Sequence, residues 1–135
     1  MVSAAADHAA VLLKDGSVVC AGANDSGECD TQSLADVVWL DTGNYHTAAV
    51  CEDGTVLACG LNDAGQCDVG EWSDVVTLAA GDTFTVGIKS DGKLISAGDI
   101  DLSTYTGSSA VAVDAYGVYC FIWEDDGTVY KTQAR

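Results

Sequence analysis

Short runs of Val, Ala, Leu, Ile and Cys recur along this chain, each cut off by Gly, Asp or Asn. His46 to Cys51, Val56 to Cys59 and Thr83 to Lys89 are such runs. They are too short for helices, and no stretch has a sustained helical period, so they read as strands. Both alternating faces of these strands are apolar. A half-wet sheet would alternate with polar residues, so small sheets covered on both sides are expected.

The punctuation is periodic. Asp-Gly occurs at Asp15-Gly16, Asp53-Gly54 and Asp91-Gly92, 38 residues apart, and again at Asp126-Gly127 after 35. Asp-Gly readily supplies the positive φ of a tight hairpin turn. The flanks repeat as well: His8 to Gly16 matches His46 to Gly54 and Phe84 to Gly92. In the second repeat, strands are expected over Val37 to Leu40, His46 to Cys51 and Thr55 to Cys59. The third repeat places them at Val75 to Leu78, Thr83 to Lys89 and Lys93 to Ala97. The fourth places them at Ala110 to Val113, Val118 to Trp123 and Thr128 to Lys131. In the first repeat Val2 aligns with Leu40, so its first strand is short. The chain thus divides into four units, approximately 1–35, 36–73, 74–108 and 109–135, within one repeat domain, 1–135. Each unit is too small to bury its own apolar surface and must stack on its neighbours. Propeller blades and solenoid coils both satisfy that condition.

The best copy of the repeat runs from Val37 through Asp68 and ends in Gly65-Gln66-Cys67-Asp68, followed by Trp72; Gly27-Glu28-Cys29-Asp30 is a degenerate version. This pattern resembles the repeat of the regulator of chromosome condensation family, most of all its short bacterial form. The resemblance covers nearly the whole chain. It implies an all-β fold of propeller blades, here four three-stranded antiparallel units. That family usually has seven blades, so four form a partial or oligomer-completed propeller. A second copy, other chains, or the chain's own ends must cover the two terminal faces.

Charge narrows the partners. There are 21 Asp and Glu against 5 Lys and Arg, a net charge of −16. Nucleic acid and anionic membrane are disfavoured; a basic protein partner would be steered in. A homo-oligomer or part of a larger assembly is expected. No signal peptide or membrane span is visible at the sequence level. The six cysteines form no C-x-x-C pair and are expected as free thiols, which suits the cytoplasm or another reducing compartment.

No nucleophile elbow, phosphate loop, metal-ligand spacing or cofactor motif occurs. His8 and His46, equivalent by repeat, are expected to bond the neighbouring blade, because Phe84 and Tyr119 hold that place later. The Asp-Gly carboxylates are expected to serve their turns. Asn24 to Asp30 lacks the ligand spacing of a calcium loop. The candidate contact residues are Tyr45, Tyr105, Glu124, Asp125 and Asp126. The reading is a non-catalytic protein–protein interaction module using acidic and aromatic loops. A structural subunit is the alternative, and an enzyme with a site at the propeller mouth the second alternative.

Overall fold

The computed structural model describes residues 1–135. Twelve strands form four separate three-stranded antiparallel sheets, each a meander of consecutive strands. The first blade holds β1 (Val2–Ala4), β2 (His8–Leu12) and β3 (Val18–Gly22). The second holds β4 (Val37–Thr42), β5 (His46–Cys51) and β6 (Val56–Gly60). The third holds β7 (Val75–Ala80), β8 (Phe84–Lys89) and β9 (Leu94–Gly98). The fourth holds β10 (Ala110–Tyr116), β11 (Tyr119–Glu124) and β12 (Val129–Gln133). The expected strands are all present; His46–Cys51 coincides, and the others differ by one to three residues at their ends. The only helical element is a single 3-10 turn at Thr31–Ser33.

The turns between the second and third strands follow the Asp-Gly chemistry. Asp15, Asp53, Asp91 and Asp126 each accept the backbone N–H two residues on, from Ser17, Thr55, Lys93 and Thr128. The glycines that follow have φ of +83° to +88°. These are the side-chain-capped turns that Asp and Gly favour, and they leave the four carboxylates tied up locally.

The core lies between the blades, not within them. One cluster joins Ala48, Val50 and Val56 of the second blade to Val75 and Leu78 of the third, with Trp72 as a plug. Another joins Phe84, Val86 and Ile88 to Cys120 and Ile122 across the next interface. A third joins Ala10 and Val18 to Leu40 and Ala49. Every residue of β5 is buried because both faces of that sheet are covered. This explains why the apolar runs do not alternate with polar residues.

The cysteine expectation needs correction. Cys20 and Cys29 form a disulfide; Cys51, Cys59, Cys67 and Cys120 are free. The reason is local. The loop after β3 folds back over its own strand and brings Cys29 to the face that Cys20 occupies, with the two Cα atoms 5.2 Å apart. Comparing equivalent positions between repeats hides a contact made within one repeat. In the second blade Ala58 stands at the place of Cys20, and Cys59 points to the opposite face, so Cys67 has no such partner. The case for a reducing compartment that rested on six free thiols goes with them.

Gly60 has φ of +122°, and an added Cβ would lie 2.5 Å from the Tyr45 carbonyl oxygen. Gly127 has φ of +88° but open space around it. Gly60→Ala should therefore destabilise the fold by about 2–3 kcal/mol, and Gly127→Ala by about 1 kcal/mol. Urea unfolding of both variants checks the order; equal losses would remove the steric argument.

Candidate functional site

Two sites are built by the repeat. One is buried between the blades and structural; the other is open, at the axis.

The buried one begins with the motif loops after β3 and β6. Asn24 clamps its loop by donating to Asp30 at 2.9 Å and accepting from the Cys29 N–H at 2.8 Å. Asn62 does the same with Asp68 and Cys67, both at 2.8 Å. The Glu28 and Gln66 side chains accept the Ser26 and Ala64 N–H groups. Thus the Asn, Asp, Glu and Gln of these loops are spent on shaping them. The loop then presents one carbonyl to the next blade. Thr47 donates its hydroxyl to the Glu28 carbonyl at 2.8 Å, and Thr85 to that of Gln66 at 2.8 Å.

Each of those hydroxyls has one proton, already committed to a carbonyl. It must accept from the histidine behind it. His8 Nε2 therefore donates to Thr47 at 3.0 Å and His46 Nε2 to Thr85 at 2.8 Å. Both histidines are buried, and neither Nδ1 has a partner. Protonation would put a second N–H into a site with no acceptor. Burial lowers the affinity of both rings for a proton, that of His46 to about 4. They are neutral structural links at neutral pH, which matches the expectation that they bond the neighbouring blade.

The open site was not foreseen. The first strands of the four blades lie side by side around an axis, and their ends enclose a cavity of about 680 Å³. Its lining includes Asp41, Asp82 and Asp114, with Asn44 and Tyr116, and no basic residue. Asp41 is held by Ser3 at 2.9 Å and by the Ala80 N–H at 2.8 Å; burial raises its pKa despite these bonds. Asp82 accepts from Asn44 at 2.6 Å. The structure's one ion pair, Arg135 with Asp99 at 4.0 Å, lies elsewhere, so all three carboxylates lack a paired cation. A search for acidic residues at the ends of first strands would have found Asp41 and Asp114.

Of the residues singled out from sequence, Tyr105 and Glu124 meet directly, and Tyr45 lies apart from them. Tyr45 is exposed and adjoins the cavity-lining turn Gly43-Asn44. Asp125 and Asp126 lie in the β11–β12 turn, at the opposite end of the strands. Glu124 is corrected outright as an exposed contact residue. It is buried, and its carboxylate accepts the Tyr105 hydroxyl at 3.0 Å and the Ser109 N–H at 2.8 Å. Tyr105 also packs edge-on against Tyr130, centroids 5.0 Å apart. Glu124 and Tyr105 therefore pin the Asp99 to Ser109 segment onto the fourth blade.

Nucleophilic chemistry has little to work with here. Burial pushes the Cys59 and Cys67 thiols up to about 11 and Cys120 to about 12, so all three stay protonated at neutral pH. No cluster of three or more potential metal ligands is present.

A model described as "Regulator of chromosome condensation (RCC1) repeat" matches residues 2–28 and 40–66. These two stretches, in the first and second blades, carry that repeat. Among solved structures, Prp20p of Saccharomyces cerevisiae superposes with a TM-score of 0.78 at 19% identity, over 97% of this chain and 44% of that one. Human WBSCR16 gives 0.79 at 19% identity, over 96% and 46%. The computationally designed Ika4 protein gives 0.59 at 17% identity, over 99% and 89%. The chain spans less than half the length of Prp20p and of WBSCR16. No curated protein matches it. The fold is thus four unclosed sheets that resemble the blades of regulator of chromosome condensation propellers.

The buried histidines set a pH dependence. His46 has a folded pKa of about 4, below its ordinary 6.5, so the unfolded chain binds more protons between these values. Stability is complete above pH 6.5 and falls as pH drops toward 4, by up to about 3 kcal/mol. His46→Phe copies the residue of the third blade. It should stay within about 1 kcal/mol of the parent at pH 7, losing one hydrogen bond while adding apolar contact. It should also flatten the acid limb in thermal unfolding between pH 4 and 8. An unchanged slope would show that other groups govern it.

Proposed function

We propose that this chain is a non-catalytic interaction module that receives a basic protein segment at its axial cavity. The observation that carries the reading is the convergence of Asp41, Asp82 and Asp114 on one opening with no cation beside them. Lysine or arginine side chains entering there gain charge-assisted hydrogen bonds, and the net charge of −16 steers them in. Tyr45 and Tyr116, exposed near the same opening, supply aromatic surface of the kind that anchors interfaces. Prp20p has been studied for its binding to Gsp1p and histones and has been solved bound to Kap60. Those structural neighbours support protein binding as the class of function, without naming this chain's partner. In this reading the module is a homo-oligomer whose second copy covers the apolar faces of the two outer sheets. A structural subunit is the second reading, favoured by those same faces.

A poly-L-lysine peptide is a suitable probe. Its association rate should fall steeply as salt rises toward physiological strength, where the Debye length is ~8 Å. Asp82→Asn with Asp114→Asn should weaken binding roughly 3- to 10-fold at low salt. Asp125→Asn with Asp126→Asn, at the far end, should leave it near the parent value. A salt-independent rate, or a larger effect from the second pair, would remove the axial cavity as the site.

A further inference from the structure

The two outer sheets are built differently, and the difference follows the rule that joins the inner ones. At each internal interface the first residue of a middle strand meets the second residue of the next middle strand. His8 bonds Thr47 and His46 bonds Thr85. Phe84 and Cys120 hold the same two positions in a shared core cluster. The pairs change together, from imidazole with hydroxyl to phenyl with thiol. The residues left at the outer faces are Tyr119, first in β11, and Ala9, second in β2. Imidazole is absent from one end and hydroxyl from the other, so neither face leaves this polar pair half made.

The rest of the two faces matches in the same sense. Register places Ala112, Trp123 and Val129 in one row of the fourth blade, Asp114, Phe121 and Lys131 in the next, and Tyr116, Tyr119 and Gln133 in the third. Phe121 and Trp123 stack at 6.3 Å, and Lys131 lies over the Tyr119 ring. Tyr119, Phe121 and Trp123 are the counterparts of Phe84, Val86 and Ile88, which the fourth blade buries. On the first blade the rows are Val2, Val11, Val19 and Ala4, Ala9, Ala21, without a charge. Val2 is 68% and Val19 53% exposed, and Tyr119 39%. One end is aromatic and bulky, the other small and smooth. Aromatic on aromatic would overfill the contact, and alanine on alanine would leave it hollow. The contact they fit is head to tail.

We infer that the outer face of the fourth blade, centred on Tyr119, Phe121 and Trp123, docks on the Ala9–Val11–Val19 face of the first blade of a second copy. Two copies related by a two-fold axis along the cavity then supply eight blades and close the ring, with both apolar ends covered. The inference rests on the reading of the chain as a homo-oligomer, and adds which faces meet and how many copies close. The blades widen their spacing slightly from a seven-blade pitch to do so. Charge opposes this union, since each copy carries −16. Added salt therefore strengthens it, whereas salt weakens capture of a basic peptide.

Sedimentation equilibrium and light scattering at low micromolar concentration test the assignment. The expected species has twice the 13.8 kDa chain mass and tightens as salt is raised. Phe121→Lys and, independently, Ala9→Glu should each raise the dissociation constant at least about 100-fold while far-UV circular dichroism stays that of the parent. Val38→Lys, on an exposed position of an internal blade, should change nothing. A parent that stays at the monomer mass overturns both the oligomer and this closure. A dimer indifferent to Phe121→Lys and Ala9→Glu overturns the faces alone, and a ladder of larger species overturns closure by two. If either variant loses its β signature, Tyr119→Lys and Ala21→Glu, on the same two faces, take its place in the same comparison.

Discussion

The structure depends on the contact between one blade and the next. No sheet here has a core of its own; three strands of three to seven residues cannot enclose one. Each sheet is held by burying its two faces against neighbours, and the hydrophobic clusters accordingly span blade pairs. Apolar contact is non-directional, however, and permits sheets to slide. The chain from His8 to Thr47 to the Glu28 carbonyl, repeated by His46, Thr85 and Gln66, removes that freedom. It ties a strand of one blade, a strand of the next and the connecting loop to a single hydroxyl. An error in register leaves several buried polar groups unpaired at once, which costs far more than the bonds themselves contribute.

The repeated loop between blades takes its meaning from that link. Asn24 and Asn62 shape the loops, Glu28 and Gln66 brace them, and what emerges is a carbonyl aimed at the next threonine. In the first blade the Cys20–Cys29 disulfide adds a covalent tie at the same place. The second blade manages with the hydrogen bonds alone. The third blade replaces the polar link by Phe84 against Cys120, and its shorter connection is held instead by Tyr105 and Glu124. One mechanical need is met by three chemistries.

Much of the fold was legible from the chain, because period, turn chemistry and apolar runs all report local structure. The Asp-Gly turns, the four meanders and the role of both histidines follow from residues close in sequence or equivalent by repeat. What was not legible involves contacts that the repeat does not encode. Cys20 and Cys29 belong to one unit, and alignment between units conceals their meeting. Glu124 reads as an exposed acid beside Asp125 and Asp126, since nothing nearby signals that Tyr105 and Ser109 N–H will fold over it. Tyr45 and the Asp125–Asp126 turn look alike as loop residues, but alternating strand direction sends them to opposite ends of the blade.

The axial cavity shows where a repeat protein is free to vary. Positions facing a neighbouring blade are bound by the His–Thr rule and by packing volume, and they change only in matched pairs. Positions facing the axis lie outside that rule, although Asp41 still joins Ser3 to the Ala80 N–H. Ser3, Asp41, Ala79 and Asp114 occupy one equivalent position, and Ala6, Asn44, Asp82 and Gly117 another. The second set forms a chain around the opening: the Ala6 N–H donates to Asn44, Asn44 to Asp82, and the Asp82 N–H to the Gly117 carbonyl. Two of these bonds use the Asn44 and Asp82 side chains, and the last is backbone to backbone. Carboxylates can be introduced there without loss of packing, and three have accumulated around one opening. Three carboxylates at one opening without a cation are the strongest structural reason to look for a ligand at the axis rather than on the Asp-Gly turns, whose carboxylates each cap a local backbone N–H.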